Sequence, residues 1–282
     1  MDKKVLKKYG ILYMILIMAS GCASSYYTFD ELSKTTEEKL PRQSFALIKN
    51  SLDLKACPSF MTSDRAVCQS ATLSSSSSGM FVGRSKVDKT VGYVLTAGHS
   101  CDAEGFKKKY DKPGVEITIE AQRMNIITYH GQSYPATIVK MTKQYDMCLL
   151  QVHGIANHPE SVAVAKEAPT QTEKVYNIAA PLGLFNAKMV FTFRGYFAGY
   201  NQQGYALYTL PTKPGSSGSS ILNEDGEIVG MIFAGYRSIE SIAITSPHHA
   251  IAEFVKQSIM LGELALNVRQ KLVKAKILEL IR

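Results

Sequence analysis

From Gly79 to Thr245 the chain is a succession of short β-forming runs, separated by turn residues and without regular helical segments between them. Gly79-Met80-Phe81-Val82 and Tyr93-Val94-Leu95-Thr96-Ala97 flank a polar turn at Lys86–Thr90 and predict a hairpin. Further runs follow at Glu116–Ala121, Met124–Tyr129, Ser133–Lys140, Met147–Val152, Glu173–Ala179 and Lys188–Tyr200. The series ends with Gly204–Thr209, Ser220–Leu222, Ile228–Ala234 and Ile239–Thr245. Such a chain lacks the crossover helices of a parallel sheet and must close its strands into a barrel or a sandwich. Its 282 residues, 45% hydrophobic and 20% charged, suffice for one large domain or two small ones.

The ends of the chain differ from this core. Lys3, Lys4, Lys7 and Lys8 precede an apolar run from Tyr9 to Ala19 that closes on Ser20-Gly21-Cys22. A basic start, a short apolar segment and small residues predict an export signal over residues 1–21, too short for a comfortable membrane span. Ala19-Ser20-Gly21-Cys22 resembles the bacterial lipoprotein signal, in which the cysteine becomes lipid-modified, although Ala19 stands where leucine is commoner. Simple secretion and a retained membrane anchor are the alternatives. Residues 22–65 are expected to form a polar tether and extension, with a folded domain over 66–256. Ser246-Pro247 is a helix start. Ala250, Ile251, Phe254 and Val255 recur on one face, and Leu261, Leu264, Ala265, Val268, Leu272 and Ala275 give a second apolar stripe, so 257–282 is expected to be an amphipathic helix.

Export bears on the cysteines. With Cys22 set aside, Cys57, Cys68, Cys101 and Cys148 remain, and an oxidising compartment would pair them. Of the three pairings, Cys57–Cys68 closes a short local loop and leaves Cys101–Cys148; four buried thiols are the alternative. No CxxC spacing or matching histidine pattern suggests a metal, and none is expected. The formal charge is +8, falling to +5 once residues 1–21 are removed, and it is spread rather than striped. That distribution argues against nucleic acid and suits a surface near anionic lipid.

Three segments carry the chemistry. Lys213-Pro214-Gly215-Ser216-Ser217-Gly218-Ser219-Ser220 is a small, glycine-rich turn that presents a hydroxyl beside free backbone N–H groups, as acyl transfer requires. Thr96-Ala97-Gly98-His99 places a histidine in a tight turn after an apolar strand, where it suits a general base. Asp146-Met147-Cys148-Leu149-Leu150 opens a strand with a carboxylate able to accept the histidine's second N–H. Asp102 lies near His99 in sequence but begins a charged stretch, so Asp146 is preferred. His130, His153 and His158 read as surface residues, and His248 and His249 as structural or surface residues.

In the order His, Asp, Ser these segments resemble the trypsin-like (chymotrypsin-fold) serine proteases, over roughly residues 70–256. The resemblance implies a mainly β fold: two six-stranded antiparallel barrels with the active site between them, followed by C-terminal helices. It implies Ser217 as nucleophile, His99 as base, Asp146 as its orienter, and an oxyanion hole from the N–H groups of Gly215 and Ser217. Pro211 and Thr212 would line the primary pocket, with Phe233, Ala234 and Gly235 as the edge on which substrate backbone pairs. The expected activity is a serine endopeptidase acting on protein or peptide, without a cofactor. A peptide-binding protein of the same fold without turnover is the alternative. Ser216 stands where pancreatic-type members carry an aspartate that pairs with a new N-terminus, so activation of that kind is not expected. Ser219 replaces the family's commoner glycine.

Overall fold

In a computed structural model of the protein, residues 39–58, 68–236 and 238–281 are described. The expected signal at 1–21 and Cys22 lie outside these residues. Among the described residues, twelve strands close into two barrels. The first contains β1 (Phe45–Pro58), β2 (Gln69–Arg84), β3 (Gly92–Ala97), β4 (Val115–Thr128), β5 (Ser133–Thr142) and β6 (Met147–Val152), in the spatial order β1-β2-β3-β6-β5-β4. The second contains β7 (Lys174–Ala179), β8 (Phe191–Tyr200), β9 (Ala206–Tyr208), β10 (Ser220–Leu222), β11 (Ile228–Tyr236) and β12 (Ile239–Ser246), in the order β10-β11-β12-β9-β8-β7. All the pairings are antiparallel. The fold is thus the two six-stranded barrels that the family resemblance implied.

Each barrel has its own core. Ile48, Phe81, Val94, Ile126 and Leu150 pack in the first, and Val175, Phe197, Tyr208, Ile221 and Ile232 in the second. Closing the sheets also removes the open edges that short strands would otherwise present. The expected hairpin is present as β2 and β3, paired from Gly79↔Thr96 to Arg84↔Gly92.

Two boundaries move. β1 pairs with both β2 and β4, so residues 45–58 belong to the first barrel and the folded core begins well ahead of residue 66. At the C-terminus a single helix, α2 (His248–Ile281), runs through the expected boundary at 256. It starts after Ser246-Pro247 as the sequence predicts, and its residues Ala250, Ile251, Phe254, Val255 and Leu266 are buried. A short helix, α1 (Ala103–Lys107), lies between β3 and β4.

α2 packs closely against the first barrel. At Gly262 the helix meets Tyr93 of β3, where a Cβ would stand 2.7 Å from the ring. The neighbouring Glu263 accepts the Tyr93 hydroxyl at 2.6 Å and the N–H of Lys86 at 3.0 Å.

Both expected disulfides are formed, Cys57–Cys68 and Cys101–Cys148. The first ties the outer ends of β1 and β2. The second joins the turn after His99 to the strand after Asp146.

Candidate active site

The first barrel supplies a histidine and a carboxylate. His99 sits in a helical turn, Gly98–Ser100, at the end of β3, and Asp146 sits in the turn that opens β6. Strand pairing aligns them, because Ala97 is the register partner of Met147. Asp146 accepts from His99 twice, the main-chain N–H on Oδ1 at 2.7 Å and ring Nδ1 on Oδ2 at 2.5 Å. Its own carbonyl takes the Gly98 N–H at 2.7 Å. These contacts hold Asp146 in a left-handed conformation, φ 49°, which costs free energy for a residue with a Cβ. The His99 side chain is 47% exposed and that of Asp146 only 22%, so the carboxylate lies behind the ring. With the Nδ1 proton directed at Asp146, Nε2 is the basic nitrogen of the ring.

Asp102 is occupied elsewhere. It caps α1 through the Gly105 N–H at 3.0 Å and pairs with Lys143 at 3.3 Å. The cap and then Lys143 outweigh the effect of burial and hold its carboxyl below the usual value.

The second barrel supplies the serine turn between β9 and β10. Gly215 and Gly218 both have positive φ, 94° and 83°. At Gly218 a Cβ would lie 2.2 Å from Thr96 Oγ1 and 2.3 Å from the Ser78 carbonyl, so the turn closes on the first barrel only with glycine there. The main-chain bonds Gly218 N–H to Ile232 (2.7 Å) and Ser78 N–H to Ser217 (2.8 Å) fix Ser217 between the barrels. Among the described residues, the N–H groups of Gly215 and Ser217 donate to no protein acceptor, and His99 makes no hydrogen bond to Ser217 Oγ.

Ser78, Ser219 and Ser246 support the turns of the site, and of these Ser78 was not singled out from the sequence. The Ser78 hydroxyl donates to the Gly215 carbonyl at 2.8 Å and accepts the Ala180 N–H at 3.0 Å, which orients the Gly215 peptide. Ser219, where the family's commoner residue is glycine, accepts from buried Asn177 Nδ2 at 2.9 Å. Ser246 at the end of β12 reaches across to the Tyr145 carbonyl at 2.6 Å, steadying the turn before Asp146. Ser78 gave only the weak signal of membership in a serine run.

Beside Ser217 is a cavity of about 320 Å³ lined by Thr212, Lys213, Pro214, Ile232, Ala234, Gly235, Tyr236 and Glu240. It takes in Thr212, Ala234 and Gly235 from the expected set. Pro211 and Phe233 are not among its walls. Pro211 is exposed. Phe233 falls at a bulge, since Ile232 pairs with Thr245 and Ala234 with Ile244, and its ring packs on Tyr205 instead. Lys213 and Glu240 form an ion pair at the cavity.

The other histidines are placed as follows. His130 is exposed, as expected. His153 and His158 are half-buried rather than on the surface, and burial lowers the pKa of each. His248 is buried with Nε2 at 2.6 Å from the Ala165 carbonyl, a structural role.

Two closed antiparallel barrels, with a histidine–aspartate pair on one and a glycine-bounded serine on the other, define the architecture of a two-barrel peptidase. The profile described as "Trypsin-like peptidase domain" matches residues 77–231, and the chain belongs to that family. No curated protein matches the chain. Among solved structures, the serine endoprotease from Yersinia pestis is similar with a TM-score of 0.57 at 16% identity, covering 82% of this chain and 69% of that one. An HtrA-type protease solved with a decapeptide is similar with a TM-score of 0.58 at 17% identity, over 80% of this chain and 67% of the other. Both similarities are of fold.

Proposed function

We propose that the protein is a serine endopeptidase in which Ser217, His99 and Asp146 act as a catalytic triad. The observation that carries this reading is the double acceptance of His99 by Asp146, facing a serine turn whose Gly215 and Ser217 N–H groups have no protein acceptor. Substrate enters the cleft as an extended strand. His99 Nε2 takes the Ser217 hydroxyl proton as Oγ bonds to the scissile carbonyl carbon, and the oxyanion is held by the two N–H groups. The C–N bond then breaks, with the proton passing to the amine. Water activated by His99 releases the acyl group and restores Ser217.

The cavity favours a small or apolar side chain on the acyl side. Ile232 and Ala234 are apolar walls, and the carboxylate among the lining residues, Glu240, is paired with Lys213. Fluorophosphonate labelling of the whole protein beside Ser217→Ala tests the assignment. Labelling should be confined to the protein with Ser217, and a folded wild type that takes no label would sink the reading. One observation favours a peptide-binding protein without turnover, namely that His99 is not hydrogen-bonded to Ser217. Such bonds are often long without substrate, and the same labelling separates the two readings.

The two disulfides support an exported location. Within it, residues 1–21 are read as the signal and Cys22 as the site of lipid attachment to the cell-envelope membrane. Cys22→Ser should move the protein from the membrane fraction to the soluble fraction; unchanged partitioning would refute the anchor.

A further inference from the structure

Helix α2 carries two apolar faces, and the first barrel uses one of them. Ile251, Val255, Gly262 and Leu266 are buried along that face. Ile259 reaches β2 beside it, where a Cβ on Gly83 would stand 2.8 Å from its side chain. The other face is open. Met260, Leu261, Leu264, Val268 and Leu272 are between 47% and 65% exposed. They follow the three- and four-residue spacing of one helix face and extend over about 18 Å. A contiguous apolar stripe of that length, bordered by polar groups, marks an interaction surface.

The border is cationic. At about 100° of turn per residue, Lys271 and Lys274 fall on one side of the stripe and Lys276 on the other, and all three are exposed. Next to Met260 and Leu264, Arg84 and Lys86 line a hollow with Ile259. Glu263 lines it too, but its carboxylate is taken up by the Tyr93 hydroxyl and the N–H groups of Lys86 and Val87. Among the described residues none of these five cations is in a salt bridge. From Leu264 to Ile277 the helix holds Arg269, Lys271, Lys274 and Lys276 and no acid. A second copy seated on the stripe would bring two such rims together, and their repulsion opposes that pairing. An anionic lipid surface accepts both parts, the apolar side chains at the acyl boundary and the lysines among the headgroups. Among the described residues no helix is long and apolar enough to cross a membrane, so α2 would lie along the surface.

We propose that the open face of α2, together with Arg84 and Lys86, seats the protein on an anionic membrane surface. Such seating needs neither peptidase activity nor a lipid on Cys22. It also leaves the serine turn uncovered. α2 meets β2 at Gly83 and the turn meets β2 at Ser78, which is about 17 Å further along the strand.

The test is flotation of the full chain carrying Cys22→Ser, so that no lipid is attached, with vesicles of phosphatidylcholine alone or with about one-third phosphatidylglycerol. The anionic vesicles should bind it about a hundredfold more tightly, and raising the salt from about 0.1 M to about 0.5 M should remove most of that preference. Lys271→Gln, Lys274→Gln and Lys276→Gln together should also remove most of it, at about fivefold per lysine. Leu264→Ser, Val268→Ser and Leu272→Ser together should weaken binding to anionic vesicles by at least about tenfold. Both sets replace exposed side chains, and an unchanged urea midpoint shows that the fold is retained. Equal binding to neutral and anionic vesicles, or undiminished binding by either triple variant, overturns the proposal. A dimer in solution that the triple serine variant loses would assign the stripe to a second copy and overturn it as well.

Discussion

The two barrels hold their parts of the site by different means. In the first, His99 and Asp146 are fixed by hydrogen bonds to each other and by the Cys101–Cys148 bridge two residues beyond each of them. The first barrel is also backed by α2 through Tyr93 and Glu263. In the second, Ser217 is fixed by the shape of its turn, with positive φ at Gly215 and Gly218, by the buried Ser219 hydroxyl, and by the Ser78 hydroxyl reaching over from β2 of the first barrel. Neither disulfide lies in the second barrel. A base must keep one tautomer and orientation, which charge and cross-links enforce. A nucleophile must stand beside free N–H donors, which a backbone conformation provides.

The sharpest break in this comparison is Asp146→Asn. The amide oxygen still accepts the His99 N–H, so the turn should keep its shape. The carboxylate charge and the imposed tautomer are lost, and kcat should fall by about four orders of magnitude. Stability in urea should change little. A variant that loses both activity and folding would mean that Asp146 is chiefly a strut for the turn.

The disulfides come next. Cys101–Cys148 spans 47 residues and Cys57–Cys68 spans 11. Removing the longer bridge as a double alanine variant should cost about 4 kcal/mol. Under the proposed triad it should also lower hydrolysis, since the His99 and Asp146 turns lose their tie. Removing the shorter one should cost less than about 3 kcal/mol and leave cleavage of a short peptide unchanged. Urea unfolding with parallel rate measurements on the two variants decides this. Equal losses of activity would remove the link between the long bridge and the site.

Much of this division was legible because the signals are local. The His99, Asp146 and Ser217 segments each combine an apolar strand with a turn, and β-forming runs mark most strands. β1 was not legible. Phe45–Ile48 is a continuous apolar run that fits a strand or a helix equally well, and its partner in β2 is a serine run without the apolar alternation that marks a strand. The cavity wall was half legible, because Lys213 and Glu240 meet across 27 positions of sequence and Phe233 is displaced by a bulge. α2 looked like two helices because Leu261, Leu264, Val268 and Leu272 read as a stripe of their own, yet they are exposed while the buried face of the helix continues through Gly262 to Leu266.

The smallest effect concerns that closure and probes whether the first barrel depends on α2. Burial alone would raise the Glu263 carboxyl, but hydrogen bonds from Tyr93, Ser85 and the N–H groups of Lys86 and Val87 outweigh it and hold it below its ordinary value of 4.5. A depressed carboxylate stabilises the fold fully above its unfolded pKa, and that contribution is lost as pH falls through the lower folded value. Glu263→Gln should cost about 1 kcal/mol at neutral pH through weakened hydrogen bonds. It should also flatten the decline of stability below the carboxylate range, read from urea midpoints at a series of acid pH values. If the variant declines as steeply as the wild type, Glu263 is not the acid-sensitive link. The first barrel would then owe its backing to the packing of Gly262 on Tyr93 rather than to this carboxylate.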